Sequence, residues 1–446
     1  MKSHRVLRAE AARIWTAALR AVDPAPAVRA VVRRKGNLLE IDRHRFDLDR
    51  VRRLWVLGAG KAAASMGKAI EGILGRHIYG GILATKYGHG LPLKRLEVVE
   101  AAHPLPDAGS LAAAERVLAL AKSGVEADDL VLCLLSGGAS SLLVAPAGGI
   151  TLEHKLVCTR LLQNSGADIH ELNAVRKHLS VLKGGGLARL LAPARIVSLI
   201  LSDVVGDEVD TIASGPVSPD STTFGDCLEV FRKYNLIGQI PQAVMRRFEL
   251  GAAGQLEETP KAGDAAFRNT DTVLVGSNAQ ACTAAAQAAK RLGYRVLVLT
   301  SRLQGDTGDA ARFHMSVAGE IVFQRRPLRR PSCIISGGET TVKVTGEGKG
   351  GRNQEFALHC VRELAHLPAP CLVASLGTDG TDGPTDAAGA VADNTTLVRS
   401  MRYGSCFLDE SLSRNDSYTF FNRLGDLIVT GPTRTNVMDL HIILVG

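Results

Sequence analysis

Short apolar runs of four to six residues alternate with amphipathic stretches along almost the whole chain. That alternation predicts a mostly parallel sheet built from strand–helix–strand units. Leu54-Trp-Val-Leu57 ends in Gly58-Ala-Gly60 and leads into a helical stretch, 61–74, and then the strand Gly81-Ile-Leu-Ala84. Leu130-Val-Leu-Cys-Leu-Leu135 enters Ser136-Gly-Gly-Ala-Ser-Ser141, and Ile196-Val-Ser-Leu-Ile-Leu201 enters Ser202-Asp203. A helical region over 152–191 is interrupted at Lys183-Gly-Gly-Gly186, which marks a kink or junction. The pattern dissolves over 250–268 and resumes with Thr272-Val-Leu-Val275, helix 279–292 and Val296-Leu-Val-Leu299. Further strands are expected at Cys333-Ile-Ile335, Thr341-Val-Lys-Val344, Cys371-Leu-Val-Ala374 and His441-Ile-Ile-Leu-Val445. The expected fold is therefore α/β: two Rossmann-like three-layer α/β/α domains, 1–255 and 265–446, with an active-site cleft between them.

A length of 446 residues agrees with more than one core, and 46 glycines with only 4% aromatics suit an α/β enzyme better than a β-sandwich. Residues 1–100 hold 20 Lys/Arg against 9 Asp/Glu, whereas the whole chain is only +8. The excess is scattered, with little aromatic interleaving, so it reads as a basic surface that attracts small anions and not as a nucleic-acid interface. The eight cysteines include no C-x-x-C pair and mostly lie in apolar segments, as expected of reduced thiols in a cytoplasmic protein. The charged start of the chain does not read as a signal peptide, and no run of about 18 apolar residues predicts a membrane span.

Chemistry is expected in the loops that follow strands. Gly346-Glu-Gly-Lys-Gly-Gly-Arg-Asn-Gln-Glu355 sets Lys349 and Arg352 among glycines ahead of a helical run, with Gly350, Gly351 and Asn353 offering N–H groups to an anion. Upstream, Ser336-Gly-Gly-Glu339 brings a carboxylate, and Gly377-Thr-Asp-Gly-Thr-Asp382 places Asp379 and Asp382 after another strand. Cationic and carboxylate turns together suggest phosphate with Mg²⁺. Gly58-Ala-Gly60-Lys61 partly matches a dinucleotide fingerprint, but strand 81–84 runs into Thr85-Lys86 where a ribose-binding acid belongs. Ser136, Gly137 and Gly138 make a second phosphate cradle and do not form a nucleophile elbow. Asn173 and Arg176 share one side of a predicted helix with Lys183 beyond it, and Asp203 follows a buried strand.

The motifs LGAGKAAASMG, LLSGGASSLL, NAVRKHLSVLKGGGLA, LSDVVGDEVDTIASGP, ISGGETTVKVTGEGKGGRNQEFAL and GTDGTDGP stand in the order found in class II glycerate 2-kinases, and the chain resembles that MOFRL-type family from about residue 8 onward. The resemblance implies ATP-dependent phosphorylation of D-glycerate to 2-phosphoglycerate with a divalent metal. It implies that Lys61 and Arg352 meet the glycerate carboxylate and the migrating phosphoryl group. Asp203 is then expected to orient or deprotonate the C2 hydroxyl, and Glu339 and Asp379 to serve Mg²⁺ or ribose. A hydroxypyruvate reductase and a non-catalytic sugar-acid sensor stay open beside it, as do monomer and homodimer. The reductase lacks the ribose-binding acid, and the sensor has no need of paired carboxylates.

Overall fold

Strands that are apolar on both faces are stable only at the centre of a sheet covered on both sides. Leu54–Ala59 and Leu130–Ser136 are buried along their whole length. A computed structural model, which describes residues 2–446, pairs them in parallel at the middle of a six-stranded sheet. The order across it is Glu97–Ala101, Ile78–Lys86, Leu54–Ala59, Leu130–Ser136, Arg195–Leu201, Thr270–Gly276. The pairs from 97–101 through 195–201 are parallel. Ile196 N donates to Asn269 O and Ser202 N to Gly276 O, so the sixth strand runs the same way. By chain position the order is 3-2-1-4-5-6, and the direction of winding reverses between 54–59 and 130–136.

The chain forms two compact units, one of residues 28–201 and 207–275, the other of 2–27, 202–206 and 276–446. This differs from the expected division at 255–265. Segment 250–268 is not a linker, because its polar groups are tied into the first unit. Glu258 pairs with His178 Nε2 at 2.7 Å and accepts from the Phe224 N–H, while Thr259 Oγ1 donates to Asp220. Beside the sheet, the first unit packs helices around Phe224, Phe231 and Phe248. It also carries a small antiparallel sheet, Val32–Lys35, Leu38–Ile41 and His44–Asp47, that was not expected.

The N-terminal helix, His4–Ala21, belongs to the second unit. It buries Leu7, Ala11, Ile14 and Ala18, one face at helical spacing, and is in contact with helix Asn278–Arg291. Arg8 on the same helix reaches Asp393 at 2.8 Å and Asp426 at 2.7 Å. The sheet of this unit has the order Arg295–Leu303, Ser332–Gly338, Asp439–Val445, Cys371–Gly377, Gly389–Asp393, Leu427–Ile428. Only its first pair is parallel. Strand 439–445 is antiparallel to both 332–338 and 371–377, and all seven of its residues are buried, as its central place requires. The mostly parallel sheet expected throughout therefore holds for the first unit and not for the second. The strand expected at 341–344 reduces to one bridge between Asp306 and Thr341. Among the described residues no helix is long and apolar enough to cross a membrane.

Candidate active site

In the first unit, the reversal point of the sheet brings Gly58-Ala-Gly60-Lys61 beside Ser136-Gly137-Gly138. The two turns are bonded to each other: Lys61 N donates to Gly137 O at 2.9 Å and Ala62 N to Ser136 Oγ at 3.0 Å. Gly60 sits at φ +131°, and a β-carbon there would strike Ser136. A β-carbon at Gly58 would lie 2.7 Å from Leu134 O. Gly58, Gly60 and Ser136 were expected to face a ligand; instead they let the strand-end turns close on one another. Thr85, at the end of strand 78–86, is buried and donates to Gly60 O, completing the turn where a dinucleotide enzyme would place its acid. Lys61 emerges from this braced turn, half-buried.

Beyond Gly138 lies a cavity of about 290 Å³ lined by His103, Ser140, Ser141, Lys155, Arg176 and Lys183, with Pro104, Leu105 and Leu156 as apolar wall. Gly138, at φ +86°, leaves room for the His103 ring, which would lie 2.8 Å from any β-carbon. Lys155 and Lys183 are buried, and each donates one bond to a carbonyl, to Leu179 O and Ser140 O respectively, both at 2.9 Å. Burial, with Arg176 nearby, pushes the Lys155 ammonium down to about 7. Burial and the neighbouring Lys155 and Arg176 hold Lys183 well below the ordinary lysine value. Asn173, expected to face a ligand, is buried and accepts from Ser214 Oγ, which in turn bonds Ser140 Oγ at 2.6 Å. It fixes the loop that Lys183 also holds. Lys155 and His103 were missed: the lysine reads as a solvated helix residue, although His103 does follow a strand, a position of the kind searched for.

In the second unit, Arg352 opens helix Arg352–His366. Its Nε lies 2.5 Å from Asp439 and its Nη2 3.1 Å from the other oxygen of the same carboxylate, a bidentate clamp, while Nη1 reaches Glu339 at 2.6 Å. Burial opposes the charge, but Asp439 and Glu339 outweigh it and hold the guanidinium above its ordinary value. Burial pushes Asp439 up to about 7, against the pull of Arg352. Asn353 ties this clamp inward, donating to Asp439 and accepting from Ser375, which bonds His441 Nδ1 at 2.8 Å. Asp439 was missed because it opens an apolar strand, where the candidate carboxylates Asp203, Glu339 and Asp379 each follow one.

The anion cradle expected at this helix start is filled by the protein. Asp382 accepts from Asn353 N at 3.1 Å and Gln354 N at 2.9 Å, so its carboxylate caps the helix and does not face solvent. Burial raises its pKa, and the two helix amides oppose that. The glycines have a packing role: β-carbons at Gly350 and Gly351 would strike Ser417 and Asp382, and one at Gly348 would meet Arg414 and Asp416. Lys349 stands over the Tyr418 ring, 4.4 Å from its centroid. Of the expected metal ligands, Glu339 binds Arg352 and Asp379 accepts from Thr381 N and Oγ1 in a local turn. Among the described residues no three His, Cys, Asp or Glu side chains converge to hold a metal. Asp203 lies in the same unit, 3.5 Å from Asn436 Nδ2.

A doubly wound unit ending in braced glycine turns, with a cation-lined cavity, and a second unit with a clamped arginine define a two-unit α/β protein equipped for anionic ligands. Comparison with known proteins makes the class specific. Residues 10–249 match the family model described as DUF4147, a domain of unknown function, and residues 332–439 match the MOFRL family. A glycerate 2-kinase of Pyrococcus horikoshii is 41% identical over 96% of this chain and 95% of its own. A D-glycerate 2-kinase of Thermotoga maritima is 42% identical over 90% and 92%. A protein of Agrobacterium vitis, 42% identical over 97% and 93%, carries a provisional name as hydroxypyruvate reductase. The crystal structure of a glycerate kinase from T. maritima superposes with a TM-score of 0.86 at 40% identity, covering 99% of each chain. The chain belongs to the DUF4147/MOFRL family of glycerate kinases.

Proposed function

We propose that this protein transfers the γ-phosphoryl group of ATP to the C2 hydroxyl of D-glycerate, giving 2-phosphoglycerate and ADP. The observation that carries the reading is the near full-length likeness to relatives named glycerate 2-kinase. Thr85 and Lys86, standing where a nicotinamide enzyme would hold its ribose-binding acid, weigh against the reductase name borne by another relative.

In this reading the C2 oxygen attacks the γ-phosphorus, the bond to the β–γ bridging oxygen breaks, and the hydroxyl proton passes to Asp203. Such a transfer depends on positioning and charge neutralisation more than on covalent chemistry. Lys61 and Arg352 supply cations for the substrate carboxylate and for the charge on the migrating group. Asp439 and Glu339 hold the Arg352 guanidinium in one orientation. Arg176 and Lys183 contact ligand from the first-unit cavity. Mg²⁺ suits a donor set with one or two available carboxylates, since it is commonly held through substrate phosphates with few protein ligands. Glu339 and Asp379 remain the candidates, each with its own protein partner to share. When bound, the metal would neutralise phosphate oxygens. A cytoplasmic setting fits ATP use and eight free cysteines, seven of them buried.

The test is incubation with D-glycerate, ATP and Mg²⁺, following ADP release and consumption of the product by enolase, which accepts 2-phosphoglycerate and not its 3-isomer. Absence of ADP together with NADH oxidation on hydroxypyruvate would replace this reading with the reductase. Lys61→Ala and Arg352→Ala are each expected to lower kcat/KM by about a hundredfold or more, the scale of a lost transition-state contact. Near-normal rates in both would sink the site assignment while leaving the activity.

A further inference from the structure

The cavity beside Gly138 holds three cations that no acid answers. Lys155, Arg176 and Lys183 line one space of about 290 Å³, and none of them pairs with a carboxylate among the described residues. The two lysines are 8% and 4% exposed, and each spends one N–H on a backbone carbonyl, which leaves two donors apiece. A buried ammonium without a counter-ion is costly, and proteins ordinarily pair it or keep it neutral. Elsewhere this chain follows that rule: Lys177, equally buried, meets Asp220 at 3.2 Å, and Arg352 meets Asp439. The exception is therefore local to the cavity. Its charged donors are two ammonium groups and one guanidinium; Thr159 and Gln163 add neutral polar groups to the wall, the Ser141 hydroxyl is spent on Gly138 O at 3.1 Å, and the one aromatic polar group is His103.

We propose that this cavity is a phosphoryl-dianion site, completed by Lys155, with Arg176 and Lys183 as its other two cations. A carboxylate would answer one of three positive charges, whereas a phosphoryl group brings close to two at neutral pH and three acceptor oxygens. The oxygens match the donor count: the fork of Arg176 takes two, and the lysines converge on the third and on its neighbours. The apolar wall of Pro104, Leu105 and Leu156 leaves room for a short carbon skeleton beside the group. The source of the phosphoryl group is either a nucleotide or a phosphorylated three-carbon acid, and that choice rests on the kinase reading. Phosphate recognition itself does not.

The depressed ammonium values describe the protein without its anion, and binding would draw protons onto both lysines. Binding is tested by isothermal titration with inorganic phosphate at constant ionic strength, using the full chain and the variants Arg176→Gln, Lys155→Met and Lys183→Met. Each variant is expected to bind phosphate at least tenfold more weakly, with a sodium chloride control showing no heat. Wild-type binding should also take up protons, seen as a heat that changes with buffer ionisation enthalpy, and Lys155→Met should reduce that uptake. Lys155→Met is expected to melt no lower than wild type without phosphate, since it removes a buried unanswered charge. Equal phosphate affinity in wild type and Arg176→Gln, or no phosphate binding in wild type, would overturn the proposal.

Competition then separates the sources. Displacement of phosphate by 2-phosphoglycerate alone assigns the cavity to the phosphorylated acid, and displacement by a non-hydrolysable ATP analogue alone assigns it to the nucleotide. Wild-type turnover of glycerate is read separately. An active kinase that binds no phosphate here would defeat the cavity proposal alone. An inactive protein whose phosphate affinity falls in Arg176→Gln would defeat the kinase reading alone.

Discussion

Asp439 and Lys155 show how far a single side chain can depart from its sequence appearance. Asp439 is fully buried yet paired twice over, by Arg352 and by Asn353. Asp439→Asn takes one carboxylate from the clamp but leaves Arg352 its Glu339 partner, so it is expected to cost about 1–3 kcal/mol, measured by urea unfolding. A fold in kcat/KM comparable to that of Arg352→Ala should accompany it in whatever protein stays folded. Lys155 is the opposite case, a charge that burial disfavours. Burial, with Arg176 and then Arg247 as neighbouring cations, holds it near 7 against an ordinary 10.5. Between these values the unfolded chain binds more protons than the folded one, so stability rises with pH across that window. Lys183 contributes with the same sign. The unfolding midpoint of the phosphate-free protein should climb from about pH 7 toward 10, and Lys155→Met should shallow that climb.

At the scale of elements, the glycine-rich turn before helix 352–366 carries the main lesson. Its composition was legible as a place where backbone comes very close to something. What approaches is protein: Arg414, Asp416, Ser417 and the Asp382 carboxylate. Sequence reasoning has no means of choosing between a ligand anion and a carboxylate thirty residues away, since both satisfy the same helix amides. Asp382→Ala is therefore expected to destabilise by about 1–3 kcal/mol, through buried amides left unbonded, even without substrate. Thermal unfolding of ligand-free protein measures it; an unchanged midpoint would return the helix start to ligand binding. The strand ends at 57–60 and 135–138 were readable because long apolar runs demand central places in a covered sheet. The hairpin sheet over 32–47 was not, since its four-residue strands are largely exposed and charged. The antiparallel entry of 439–445 depends on pairing across more than sixty residues, which local periodicity does not encode.

For the molecule as a whole, the alternation of elements announced two sheets correctly and misplaced their ownership. Polar, glycine-containing sequence marks 255–265 as a boundary, but Glu258 and Thr259 anchor that stretch in the first unit. Sequence adjacency groups the first helix with the elements that follow it, although its apolar face and Arg8 are spent on residues 278–445. Arg8→Ala should strip Asp393 of its guanidinium and leave Asp426 with Arg399, costing on the order of 3 kcal/mol. Calorimetry with separate transitions for the two units would show the loss in one transition only; equal shifts in both would contradict the assignment. The membership of that helix also has a cost in time. During synthesis its apolar stripe emerges some 250 residues ahead of helix 278–291, its nearest partner, and over 400 ahead of the sheet's central strand at 439–445. Residues 28–201 and 207–275, the whole of the first unit, emerge in that interval, while Leu7, Ala11, Ile14 and Ala18 wait for their partners. The nascent chain is then most exposed to aggregation and most in need of a chaperone at its first helix, before half of its residues exist.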